Sequence, residues 1–146
     1  MADNLQPTNE KDIISLTPIG QVVNAFDEPT SMDILREAES EVIIKPEYIE
    51  GLQGIQAGDA IMVLFHFHQS RSYALTQHPR GDESRPKRGV FTLCSPHRPN
   101  YLGLTIVSVV SINGGRIKVH GLDAINGSPV IDIKPANRIR SVNHGS

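Results

Sequence analysis

The chain of 146 residues has one cysteine, Cys94, so no internal disulfide can staple its fold. No apolar run is long enough to cross a bilayer as a helix. The opening MADNLQPTNEKD has neither a basic n-region nor an apolar h-region, so no secretory signal is expected. Together these absences favour a cytoplasmic protein. No GxGxxG follows a strand and no Walker loop is present, which removes two common phosphate cradles. Long amphipathic helices between strands are missing too, and a doubly wound dinucleotide-binding layout needs them. Strong positive charge is also lacking. The formal net charge is −2, which argues against a strongly basic nucleic-acid binder.

The charge that is present is unevenly placed. Asp3 to Glu50 carries eleven acidic side chains against three basic, a net of −8. His66 to Asn100 carries six basic against two acidic, a net of +4. A local cationic patch on a weakly acidic body suits an anionic ligand. The patch overlaps the most irregular stretch, His78–Gly103, which holds four prolines and three glycines. No helix or long central strand runs through such a density of proline. Long irregular segments within a domain are functional or disordered. The apolar residues Val90, Phe91, Leu93 and Leu102 argue for order, so the active surface is expected here.

Residues 1–13 are polar and expected to be loose, 14–136 form one domain, and 137–146 are a short tail. Ile13–Val23 reads as a strand interrupted at Thr17-Pro18, and Asn24–Ser31 as loop. Met32–Ser40 allows a helical turn or two before the β-branched run Glu41–Lys45. Ile49, Leu52 and Ile55 recur three apart, the mark of a short helix. Ala60–Gln69 is the strongest strand, ending in alternation of Phe65 and Phe67 against His66 and His68. Gly89–Cys94 reads as a short strand and Leu102–Ile112 as a long one. Asn113-Gly114-Gly115 is a hairpin turn into Arg116–Leu122. Asn126-Gly127 marks a turn before the last strand, Val130–Ile133. Short strands separated by turn residues predict a mainly β, single-domain barrel with a few short helices.

His66-x-His68 on a strand would present both imidazoles to one face. With His78, Cys94 and His97 they raise the question of zinc, but the spacing matches no closed motif and the neighbours are basic, so no metal is expected. Cys94 has no recognisable nucleophile context and reads as a small buried apolar group at a strand end. Asp123 begins a loop, where a carboxylate either meets a ligand or caps a turn.

The motifs PIG (Pro18–Gly20), HPRGD (His78–Asp82), RGVF (Arg88–Phe91), SPHRPN (Ser95–Asn100), GL (Gly103–Leu104) and GLDAINGSPVIDIKP (Gly121–Pro135) resemble the TsaA-like, TrmO family over about residues 16 to 136. The resemblance implies a single-sheet β-barrel that binds S-adenosylmethionine, acts as a homodimer, and methylates threonylcarbamoyladenosine beside the tRNA anticodon. It implies cofactor contacts from His68, Gln69, Cys94, Leu104, Asp123, Ala124, Ile125 and Asn126. Arg80, Arg88, Arg98 and Asn100 would face the tRNA substrate, and Arg98 and Asn100 would also fix their loop, facing either a substrate phosphate or the methionine carboxylate. Asp123, His68 and His97 are the candidate catalytic groups. The sequence departs from the family pattern at Cys94, where arginine is usual, at Tyr101-Leu102, where Pro-Ile is usual, and at Ala136, where an aromatic is usual. Larger relatives carry a C-terminal extension; here NRIRSVNHGS closes the sequence, with Arg138 and Arg140 as a basic remnant. A small-molecule methyl acceptor, or cofactor binding without catalysis, are the competing readings.

Overall fold

The structure, a computed structural model, describes residues 12–136; the start of the N-terminal segment and the tail with Arg138 and Arg140 lie outside the described residues. Eight strands are formed: β1 (Gly20–Val23), β2 (Glu39–Ile44), β3 (Ala60–His66), β4 (Thr76–Gln77), β5 (Arg88–Gly89), β6 (Leu102–Asn113), β7 (Arg116–His120) and β8 (Pro129–Pro135). Six of them close an antiparallel barrel in the order β1-β2-β7-β6-β3-β8, and β4 pairs with β5 in a separate ribbon.

Alternation produces this barrel. β2 and β7 bury every second residue, so Val42, Ile44, Ile117 and Val119 point inward while Lys118 and His120 stay in water. Val22, Val63, Phe65, Val107 and Val130 complete the interior. β-branched residues dominate because they pack well on a pleated surface. The two-residue turn Gly114-Gly115 joins β6 to β7, with Gly114 at φ 61°, a left-handed conformation open to glycine. Ile49 and Ile55 pack against the core beside buried Leu52, and the segment is a 3₁₀ helix over Pro46–Leu52, whose three-residue turn matches their spacing.

Several expectations are corrected. Ile13 to Leu16 do not extend β1: Ile13, Ile14 and Leu16 are exposed, and the strand runs from Gly20, with the Ile19 main chain already bonded to Val130 and Lys45. Gly89–Cys94 is not a strand. Only Arg88 and Gly89 pair, with Gln77 and Thr76, and Val90–Thr92 then coils into a 3₁₀ turn around buried Val90. β3 stops at His66, and the Ser70 amide donates to the Phe67 carbonyl to turn the chain. His66 and His68 therefore part company. His66 packs edge-on against Tyr101, whereas His68 lies past the strand end. The one α-helix among the described residues, α1 (Met32–Arg36), is five residues long and capped by the Ser31 hydroxyl, which accepts from the Asp33 amide.

Phe65 on β3 faces Gly103 on β6. A Cβ at Gly103 would lie 2.6 Å from the Phe65 ring and 2.7 Å from the Phe67 ring. Those rings meet edge to face with centroids 5.1 Å apart. Gly103→Ala is expected to force them apart and lower stability by about 1–3 kcal/mol, read as a reduced urea midpoint.

Candidate functional site

A cavity of about 710 Å³ opens where β3 ends and β6 begins. Phe65, Phe67 and Leu104 give it apolar walls, Ile125 and Ser128 face them from the loop before β8, and Met32 and Leu35 of α1 reach in as well. The Leu93–Arg98 loop contributes Cys94, His97 and Arg98. Cavities of this size and apolar character suit a cofactor-sized ligand.

Two polar atoms stand out in this setting. The Nδ1 of His68 and Oδ1 of Asp123 are buried without a hydrogen-bond partner. Arg36, just past α1's last apolar residue, places its Nε 3.8 Å from that Asp123 oxygen. This is close enough for charge attraction but too long for a hydrogen bond. Burial pushes the Asp123 carboxyl up from its ordinary range, and Arg36 opposes the shift. Burial pushes the His68 imidazole down, assisted by the charges of His66 and Arg71 and opposed by a backbone hydrogen bond, so His68 is held neutral near pH 7. A neutral imidazole is able to take up a proton.

The cavity gathers His68, Gln69, Cys94, His97, Arg98, Leu104, Asp123 and Ile125 from distant parts of the sequence. It does not gather all the residues singled out from the sequence. Ala124 is a core residue, 1% exposed. Asn126 is committed to the fold: its side-chain oxygen accepts from the Asn24 amide at 3.1 Å, and its nitrogen donates to Asp27 Oδ1 at 2.9 Å. Gln69 lines the cavity yet also donates to the Asp27 carbonyl at 3.0 Å. Gln69 and Asn126 thus clasp the Asn24–Ser31 segment over the site. Arg80, Arg88 and Asn100 lie outside the cavity lining and are exposed. Arg80 adopts φ 53° in the loop between β4 and β5. His78 Nδ1 lies 2.8 Å from the Arg85 carbonyl, which holds that basic loop in shape.

Sequence reasoning missed Met32, Leu35, Arg36 and Arg71 as site residues. Nothing local marks them, because their role arises from contacts across the barrel end. Proline's usual place is taken by Tyr101, at φ 52° with its amide donating to the Arg98 carbonyl. Proline permits neither feature, so this turn is shaped differently from one built on proline. Cys94 is not the buried apolar group at a strand end that was expected: the strand stops at Gly89, and Cys94 is exposed in the following loop, on the cavity wall. Among the described residues, no group of three or more His, Cys, Asp or Glu could hold a metal ion. No helix there is long and apolar enough to cross a membrane.

The Asp123 shift carries a pH signature. Because its folded pKa lies above the unfolded value, its ionisation weakens the fold as pH rises through that interval. Asp123→Asn carries no charge at any pH. The melting-temperature difference between variant and parent should therefore move in the variant's favour as pH rises from about 4 towards 7.

Comparison with known proteins places this architecture. The model of the tRNA-methyltransferase O N-terminal domain matches residues 20–138. A probable S-adenosyl-L-methionine-binding protein of Methanothermobacter thermautotrophicus is 41% identical over 126 residues, covering 84% of this chain and 89% of the relative. A tRNA (adenine(37)-N6)-methyltransferase of Rattus norvegicus is 33% identical over 143 residues, covering 89% of this chain but 32% of that protein. The crystal structure of TrmO from Pseudomonas aeruginosa superimposes with a TM-score of 0.67 at 30% identity, over 86% of this chain and 57% of that one. The chain thus spans just over half the length of the solved TrmO chain and about a third of the rat enzyme. On the family match and the shared barrel, the chain belongs to the tRNA-methyltransferase O N-terminal domain family.

Proposed function

We propose that this barrel is an S-adenosylmethionine-dependent tRNA methyltransferase, acting on the exocyclic nitrogen of threonylcarbamoyladenosine next to the anticodon. The observation that carries the reading is the pair of orphaned polar atoms, His68 Nδ1 and Asp123 Oδ1, set in the apolar cavity. Buried polar groups normally have partners, so each of these awaits one. The residues present fit the cofactor. Leu104 and Ile125 offer apolar contact for an adenine, and the Asp123 carboxylate suits ribose hydroxyls. Relatives named as S-adenosyl-L-methionine-binding proteins support the same assignment. When bound, the cofactor supplies an electrophilic methyl group on a sulfonium.

The protein's own part is to position the acceptor, exclude water and manage one proton. A urea-like acceptor nitrogen is a weak nucleophile until its proton leaves. Neutral His68 is a base whose side chain lines the cavity; Asp123 and the more exposed His97 are the other groups within the site. Much of the rate enhancement comes from holding the nitrogen in line with the methyl. Arg80 and Arg88, on the exposed loop and ribbon outside the cavity, face the phosphate backbone, with Arg98 and Asn100 at the loop closer to the cavity. Two copies associate through the outer face of β6, where Ile106 and Val110 are exposed at 59% and 40%. Exposed apolar side chains on a strand face are a feature of interaction surfaces.

Mass spectrometry of nucleosides from an anticodon stem-loop bearing the hypermodified adenosine, incubated with protein and cofactor, should show one added methyl. His68→Ala and Asp123→Ala should lower turnover about 100-fold while changing cofactor affinity less. Methyl transfer to small metabolites alone would replace the tRNA reading with its competitor, and cofactor binding without transfer to either would favour a non-catalytic module. Light scattering should give a dimer that Ile106→Lys converts to monomer; an unchanged mass would remove β6 from the interface.

A further inference from the structure

Phe91 differs from the other phenylalanines of the described residues. Phe65 is 1% exposed and Phe26 and Phe67 are half-buried, whereas Phe91 is 76% exposed. Its neighbours enforce that exposure. Val90 is buried, and its amide donates to the Leu75 carbonyl at 2.8 Å. The Leu93 amide donates back to the Val90 carbonyl at 3.1 Å, and the Thr92 hydroxyl donates to the Gly89 carbonyl at 2.7 Å. Nη2 of Arg88 donates to the Thr92 carbonyl at 3.3 Å. The 3₁₀ turn Val90–Thr92 is thus tied on both sides, and Phe91 at its middle is held in water.

The chain around this ring is cationic. Arg85, Lys87 and Arg88 precede it, and all three are exposed. The ion pairs among the described residues join Arg36 to Asp123, Arg116 to Glu41 and Lys134 to Asp132, so none of the three belongs to one. A second copy of this basic lobe would be repelled here, and an apolar protein face would leave the charges unanswered. A polyanion that also offers flat apolar faces satisfies both features. Single-stranded RNA is such a ligand: its phosphates meet the cations, and an unstacked base covers the ring. A duplex keeps its base faces stacked inside and offers none. Position in the chain agrees, because Leu93, two residues on, lines the cavity. Two residues separate Cα atoms by at most about 7.6 Å, comparable to the step between neighbouring nucleotides.

We propose that Phe91 is a stacking platform for an unpaired RNA base next to the methyl acceptor, and so selects a single-stranded loop over a stem. The inference rests on the tRNA reading of the site and adds a specificity-determining residue to it. The phenylalanine side chain has no polar atom, so it accepts any base and reads strandedness rather than sequence. The flanking cations add affinity that does not depend on sequence.

Fluorescence anisotropy on the full chain tests it with two RNAs, an anticodon stem-loop and a fully paired duplex with the same number of phosphates. The parent protein should prefer the stem-loop. Phe91→Ala should weaken stem-loop binding about 10- to 100-fold while leaving duplex binding and the melting temperature unchanged. Phe91→Trp, which keeps a flat ring, should preserve the preference. Lys87→Gln should instead weaken binding of both RNAs and reduce the salt slope by about one. Removing the base on one side of the acceptor should weaken binding to the parent as much as Phe91→Ala does, with no further loss when the two changes are combined. The proposal is overturned if folded Phe91→Ala binds the stem-loop like the parent, or loses affinity for both RNAs alike. It is overturned equally if Phe91→Ala halves the mass in light scattering, which would make the ring a contact between copies. A parent protein that binds neither RNA refutes the tRNA reading itself, and this platform with it. That outcome differs from undiminished binding by the variant.

Discussion

Closure of the barrel depends on one short seam. β1 and β8 pair through Gly20 with Val130 and Gln21 with Pro129. Main-chain bonds extend the contact: Ile19 donates to Val130, Val22 to Ser128, and Gly127 back to Val22. On the other side of β1, Gly20 lies so close to the Ile43 carbonyl that a Cβ would collide with it. The missing side chain lets β1 sit between β2 and β8. Without that fit the sheet would have two open edges, each a row of unpaired donors and acceptors.

The seam also builds the site. By fixing Val22 beside Gly127 and Ser128, it brings the Asp123–Ser128 loop alongside Asn24 and Phe26. Asn24 then spends its side chain on Ser40 and on the Ala124 carbonyl, while Asn126 holds Asn24 and Asp27. Such dense polar satisfaction leaves the loop backbone little freedom, so Asp123 is presented at a fixed place. The opposite wall is rigid for a different reason, the aromatic pair Phe65 and Phe67 wedged over Gly103. Between a hydrogen-bonded wall and an aromatic one lie His68 Nδ1 and Asp123 Oδ1, buried without a hydrogen-bond partner.

The sequence made the central strands plain because they are buried on one face and rich in Val and Ile; β2, β3, β6, β7 and β8 all follow that rule. It failed where partner availability decides. Val90, Phe91, Thr92 and Leu93 have strand-like character, yet the ribbon they would extend stops at Gly89, and Val90 turns inward instead. Ile13, Ile14 and Leu16 likewise lack a neighbouring strand. Half the cavity was visible through family-like motifs around Arg98 and Asp123. The half supplied by Met32, Leu35 and Arg36 was not, since those residues meet the site only after the barrel has closed. Asn126 shows the reverse error. A polar side chain in a ligand-binding loop can be fully occupied in holding that loop together.

The clasp formed by Gln69 and Asn126 on Asp27 bears on where stability resides. It contains side-chain amides meeting main-chain or carboxylate oxygens, and no buried apolar plug. Such bonds exchange for water at small cost. These two side-chain bonds lie outside the hydrophobic barrel, whose core is made by other residues. Contacts made at this end of the barrel therefore draw on polar side chains rather than on the apolar core that sets global stability.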